Sequence, residues 1–154
     1  TNMYLVGLNN TGTTKLALCV PSNSGQSGGH RVGFDIAGNV YITGWYSGTG
    51  SLNGINMQAK SGSNAADVAL CKLSSTGTLQ WFNTFGSAGF TGELNISAGL
   101  QVDSENNLLI TGKFYGQNID WDPSPTMTLI LSSAGQDDGF VAKYKSDGSL
   151  FQNP

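Results

Sequence analysis

The apolar residues of this chain come in runs of four to six, separated by clusters of Gly, Asn, Asp and Ser. No stretch keeps the i, i+3, i+4, i+7 recurrence of an amphipathic helix, so no helix is predicted. Short strands are predicted over 3–8, 15–20, 40–45, 67–73, 79–82, 108–114 and 138–144, with two more near 32–35 and 100–103. The turns between them carry Gly12, Gly38, Gly77 and Gly148 beside Asn, Asp or Ser. Such residues supply the backbone angles that tight hairpins require. Gly48-Thr49-Gly50 reads as a flexible loop, since no helix follows it and its third Gly is misplaced for a dinucleotide fingerprint.

The pattern repeats. Residues 102–112 return residues 34–44 at an offset of 68, with Asp35 and Asp103, Asn39 and Asn107, and a closing Ile-Thr-Gly in register. The hairpin turns at Gly12, Gly77 and Gly148 align at offsets of 65 and 71, which superposes Leu8, Leu73 and Tyr144. The same alignment pairs Lys72 with Lys143 and Asp67 with Asp138. Four short antiparallel strands per period of about 70 residues is the pattern of a β-propeller blade. The expected fold is therefore all-β, with about two blades of four-stranded antiparallel sheet. Residues 1–25 form the second half of one blade, 26–93 a full unit, and 94–154 a unit with an Asp-Trp-Asp-Pro insertion.

Composition narrows the partners. Only 11% of the 154 residues are charged, with Lys+Arg 7 against Asp+Glu 10, so no basic stripe is available for a phosphate backbone. No apolar run approaches the roughly 20 residues that span a bilayer. Nucleic acid and membrane insertion are excluded on these grounds. The chain starts at Thr1 and its ends cut a unit, so it is expected to be a piece of a longer protein. Cys19 and Cys71 occupy different repeat positions, and two small thiols are preferred to a bridge.

The copies Asp35…Asn39-Val40-Tyr41-Ile42-Thr43-Gly44 and Asp103…Asn107-Leu108-Leu109-Ile110-Thr111-Gly112 resemble the SBBP-type β-propeller repeats of large secreted bacterial proteins. The hairpins opening at Asp67 and Asp138 and the segment Asp120-Trp121-Asp122-Pro123 add to the resemblance, which spans essentially the whole chain. It implies a non-enzymatic binding or structural scaffold, extracellular or at the cell surface. Implied partners are the other blades of the propeller or identical subunits, with a protein or carbohydrate ligand. Alternatives are a lectin formed by oligomerised two-blade protomers, or the non-catalytic part of a propeller enzyme.

Residues that recur in both copies are read as serving the fold, and those that break the repeat are freer to form a site. Asp35, Asp103, Lys72, Lys143, Asp67 and Asp138 are assigned to the scaffold on this basis. Trp45 aligns with Lys113 and Trp121 has no counterpart, so both are candidates for a binding rim. Asn118, Asp120 and Asp122 offer oxygen ligands for Ca²⁺ on a loop. The competing and preferred reading has Trp121 filling a gap between blades while the Asp side chains cap turns. The lone His30 has no activated Ser or Cys to serve and is read as a loop residue. No other cofactor is implied.

Overall fold

The computed structural model describes residues 1–63, 65–88 and 95–152. Among these residues the chain is all-β and contains no helix. Strands β1 (Met3–Leu8) and β2 (Thr14–Val20) form a hairpin. Strands β3 (Ser27–Phe34), β4 (Val40–Tyr46), β7 (Asp67–Leu73) and β8 (Leu79–Phe85) form an antiparallel sheet in the order β3-β4-β7-β8. Strands β9 (Ile96–Val102), β10 (Leu108–Phe114) and β13 (Asp138–Tyr144) form a second sheet in the order β9-β10-β13. A single bridge from Tyr144 to Leu150 stands where a fourth strand would begin. Among the described residues the sheets are small and open and none closes on itself, and of the two expected four-stranded units only the first has four strands, the second having three. The expected boundary at 93/94 lies outside the described residues.

Two short hairpins are inserted between the repeated strands. Strands β5 (Thr49–Leu52) and β6 (Ile55–Gln58) correct the expectation of a loop at 48–50. Their turn is Asn53-Gly54, with φ of 51° and 79°. Two positive angles in succession match the tight hairpin turn that Asn-Gly favours. Strands β11 (Ile119–Asp120) and β12 (Ile130–Leu131) pair at the matching place in the second unit.

The Asp-to-Asn turn repeated in the sequence is closed by the same three bonds in both copies. Asp35 Oδ1 accepts the Ala37 and Asn39 N–H groups at 3.0 and 2.9 Å, and its Oδ2 accepts Asn39 Nδ2 at 2.8 Å. Asp103 does the same for Glu105 and Asn107 at 3.0, 2.7 and 3.1 Å. Burial pushes both carboxyls up, but the hydrogen bonds that each accepts, those of Asn39 and Asn107 foremost, together hold them low, Asp103 at about 2. Both copies also carry a β-bulge. Register shifts at Gly29/Arg31 leave His30 unpaired, and the shift at Thr111/Gly112 leaves Ala98 unpaired. His30 is thus a strand residue at a bulge, which corrects its reading as a loop residue. The bulge interrupts the side-chain alternation, so the N-terminal halves of β3 and β9 lack the apolar pattern of their C-terminal ends.

Two cores hold the units together. In the first, Met3, Leu5, Leu18 and Val20 of the hairpin pack on Val40, Ile42, Ala69, Cys71 and Leu73. In the second, Tyr41, Val68, Leu70 and Phe85 pack on Leu108, Ile110, Phe140 and Tyr144. Side chains alternate along a strand, so the four-stranded sheet is covered on both faces. Equivalent positions also meet beside both cores. A Cβ on Gly77 would fall 2.4 Å from Leu16 Cδ1, and one on Gly148 would fall 3.0 Å from Trp81 Cδ2. Under the hairpin alignment Gly77 matches Gly148 and Leu16 matches Trp81.

Candidate functional site

Trp121 is 2% exposed, inside the second core. Its ring stacks on Phe85 at 5.4 Å and 12°, meets Phe114 edge-on at 5.5 Å, and lies 4.5 Å from Phe140. A rim residue needs an exposed face, so this placement corrects the binding-rim expectation for Trp121. Its Nε1 is the one buried side-chain polar atom among the described residues without a hydrogen-bond partner. Trp45 is half-buried and lies across Gly28, where a Cβ would fall 2.4 Å from the indole Nε1. The structure does not bring the two indoles to one surface.

The insertion loop is braced by its own carboxylates. Asp120 Oδ1 accepts the N–H of Asp122 at 3.0 Å and of Leu129 at 2.9 Å, and Asp122 Oδ1 accepts that of Ser124 at 2.9 Å. These are the turn caps that short acidic side chains make. Asn118 is exposed at φ 56°, and its N–H donates to Ser132 Oγ at 2.9 Å. The Tyr144 hydroxyl donates to the Trp121 carbonyl at 3.0 Å. Its pKa is raised by burial first and then by the Asp122 and Asp120 charges. Calcium takes six to eight oxygen ligands, whereas each Asp already uses one oxygen on the loop. No group of three or more His, Cys, Asp or Glu is placed to hold a metal among the described residues. The melting temperature is expected to be the same in calcium and in chelator; a calcium-dependent rise would return Asn118, Asp120 and Asp122 to a metal role.

Those carboxylates line a polar cleft of about 370 Å³ between the two units. One wall is β6, with Asn56, Gln58 and the neighbouring Lys60; the floor is Phe82, Asn83 and Thr84 of β8; the other wall is Asp120, Asp122 and the prolines 123 and 125. Asn83 Nδ2 donates to the Gly148 carbonyl at 3.0 Å and Thr84 Oγ1 to the Gln58 carbonyl at 2.8 Å, which fixes the floor. Phe82 is wedged edge-on against Tyr46 at 4.9 Å. Amides and an ammonium supply donors, carboxylates supply acceptors, and the ring supplies an apolar face. Such a cleft suits a neutral, hydroxyl-rich ligand. It joins residues that no local motif connects.

Other candidate residues serve the scaffold. Asp67 is fully buried; its carboxylate accepts the Lys60 and Ser61 N–H groups and the Ser61 hydroxyl, while burial raises its pKa. Its counterpart Asp138 accepts the Ala134 N–H at 2.7 Å. Lys72 lies over the Tyr41 ring and donates to the Ser146 carbonyl at 3.2 Å, and Lys143 pairs with Asp103 at 3.1 Å. His30 Nδ1 sits 2.8 Å from the Ser97 carbonyl, linking β3 to β9. Cys19 and Cys71 are free thiols, and burial pushes Cys71 up to about 12, away from thiolate chemistry.

No family model matches the chain, and no curated protein matches it.

Proposed function

We propose that the chain is a segment of a β-propeller acting as a non-enzymatic binding or structural scaffold, outside the cell or at its surface, within a larger secreted protein. The observation that carries the reading is the repeated stacking: one contact, Leu16 on Gly77, recurs as Trp81 on Gly148. Repeats that stack in one direction bury a continuous core and present loops at defined positions. The charge-poor surface and the resemblance to secreted bacterial repeats support the location. The buried pKa-shifted groups, Asp67 and Cys71, are held by structural contacts, which favours a scaffold over a catalyst.

A second reading, saccharide binding, is favoured by the cleft between the units. Titration with the disaccharides cellobiose, lactose and chitobiose, followed by amide chemical shifts, tests both readings together. Shifts at Asn56, Gln58 and Asn83, with the sugar recovered intact, are the expected result. Gln58→Ala is expected to weaken that binding about tenfold, equivalent to losing one hydrogen bond of about 1.4 kcal/mol. Gln58 is exposed, so its fold is expected to survive the change. No shifts with any sugar would remove the saccharide reading, and a cleaved sugar would remove the non-enzymatic one.

A further inference from the structure

The two cores are two instances of one interface, and the chain carries the unmatched halves of a third. On the following side of each core stand three residues of the third strand of a unit. In the first core they are Ala69, Cys71 and Leu73, exposed by 3%, 1% and 0%. In the second they are Phe140, Ala142 and Tyr144, with Phe140 at 8% and Tyr144 at 0%. The hairpin alignment makes their counterparts in β1 Tyr4, Val6 and Leu8. Those are 70%, 61% and 60% exposed.

The preceding side shows the same mismatch. Tyr41 and Leu70 are fully buried under the second sheet. Their counterparts Leu109 and Val141 are 40% and 71% exposed on that sheet's outer face. Lys72 reaches the turn of the unit that covers it, at the Ser146 carbonyl. Its counterpart Lys143 instead turns to its own unit, pairing with Asp103 at 3.1 Å and lying over the Phe151 ring at 4.4 Å, with 36% of its side chain exposed. Each open face therefore repeats positions that are buried elsewhere in the same chain, and the two faces are complementary halves rather than copies.

We infer that these faces bind each other between copies, head to tail: Leu109 and Val141 of one copy pack on Tyr4, Val6 and Leu8 of a second copy. The inference rests on the stacked-repeat reading above and adds the partner, a second copy of this chain in the place that a neighbouring blade would otherwise fill. In this arrangement Lys143 reaches the carbonyl of Asn10 in the second copy, the repeat counterpart of Ser146. The contact is heterologous, so it propagates from copy to copy until a ring closes or a filament grows. An uncovered apolar face of this kind is otherwise an association hazard.

The test uses two exposed positions, one per face. Val6→Glu and Val141→Glu are made separately, and circular dichroism melts establish that both fold as the wild type does. By sedimentation velocity the wild type is expected to run above protomer mass and each variant at protomer mass. An equimolar mixture of the two variants is expected to recover a 1:1 dimer and nothing larger, because the intact outer face of the Val6→Glu copy meets the intact β1 face of the Val141→Glu copy. A wild type at protomer mass at all concentrations overturns the inference, as does a mixture that stays at protomer mass. A single variant that keeps the wild-type mass overturns it too, since the association would then use another surface. None of these outcomes touches the two internal cores, so the stacked-repeat reading fails separately, through loss of the contacts inside the chain.

Discussion

Trp121→Ala is expected to lower stability by about 3–5 kcal/mol, the usual cost of emptying a core of a large aromatic side chain. For a domain of this size that corresponds to a fall in melting temperature of roughly 10 °C. The ring is held by Phe85 from one unit and by Phe114 and Phe140 from the other, so its loss leaves the junction between units unfilled. Trp121→Phe is expected to cost much less. It keeps an aromatic ring on Phe85 and removes an N–H that is buried without a partner, whose desolvation costs about 1–3 kcal/mol. Urea unfolding of the two variants measures both values. An alanine variant within 1 kcal/mol of wild type, a threshold well below the usual aromatic-to-alanine cost, would mean that Trp121 does not pin the junction.

Gly44→Ala and Gly112→Ala are the second pair of large effects. A Cβ on Gly44 would fall 2.0 Å from the Gly28 carbonyl oxygen, and one on Gly112 would fall 2.2 Å from the Ile96 carbonyl oxygen. The obstacle in each case is the backbone of the bulged neighbouring strand, which cannot swing aside as a side chain can. Overpacking a core by a methyl group costs about 1–3 kcal/mol, and these sites belong at or above the top of that range. Gly139→Ala, whose new Cβ would meet nothing nearer than 3.9 Å, is the control and is expected to be nearly neutral. Comparable melting temperatures for the Gly44, Gly112 and Gly139 variants would contradict the bulge geometry.

Those glycines show how much of the fold was legible. The recurring Ile-Thr-Gly was plain in the sequence, but its cause was not, because a carbonyl from a bulge leaves no residue-type signature on the strand that it crosses. Asp35 and Asp103 were legible for a local reason: the backbone N–H groups that they accept belong to residues two and four positions on. The β5–β6 hairpin was missed although Asn53-Gly54 is a strong turn signal, since the strands beside it are short and largely polar. His30 was misread because Gly28-Gly29-His30-Arg31 has no apolar alternation to mark it as strand, the bulge having interrupted it.

The candidate site was legible in pieces only. Asp120 and Asp122 drew notice as carboxylates on an insertion, but Asn56, Gln58 and Asn83 carry no motif and reach the cleft through the stacking of one unit on the next. Trp121 had both readings open, a rim residue or a plug between units; what separates them is the position of Phe85 and Phe140, which the local sequence around Trp121 does not contain.

The central claim is that one interface between units is made twice within the chain. Nuclear Overhauser contacts test it most directly, because the two instances place different residue types in the same relation. The Leu16 methyls are expected to show contacts to the Gly77 α-protons, and the Trp81 ring to the Gly148 α-protons, both in the same sample. Finding either contact without the other, or neither, would contradict the claim.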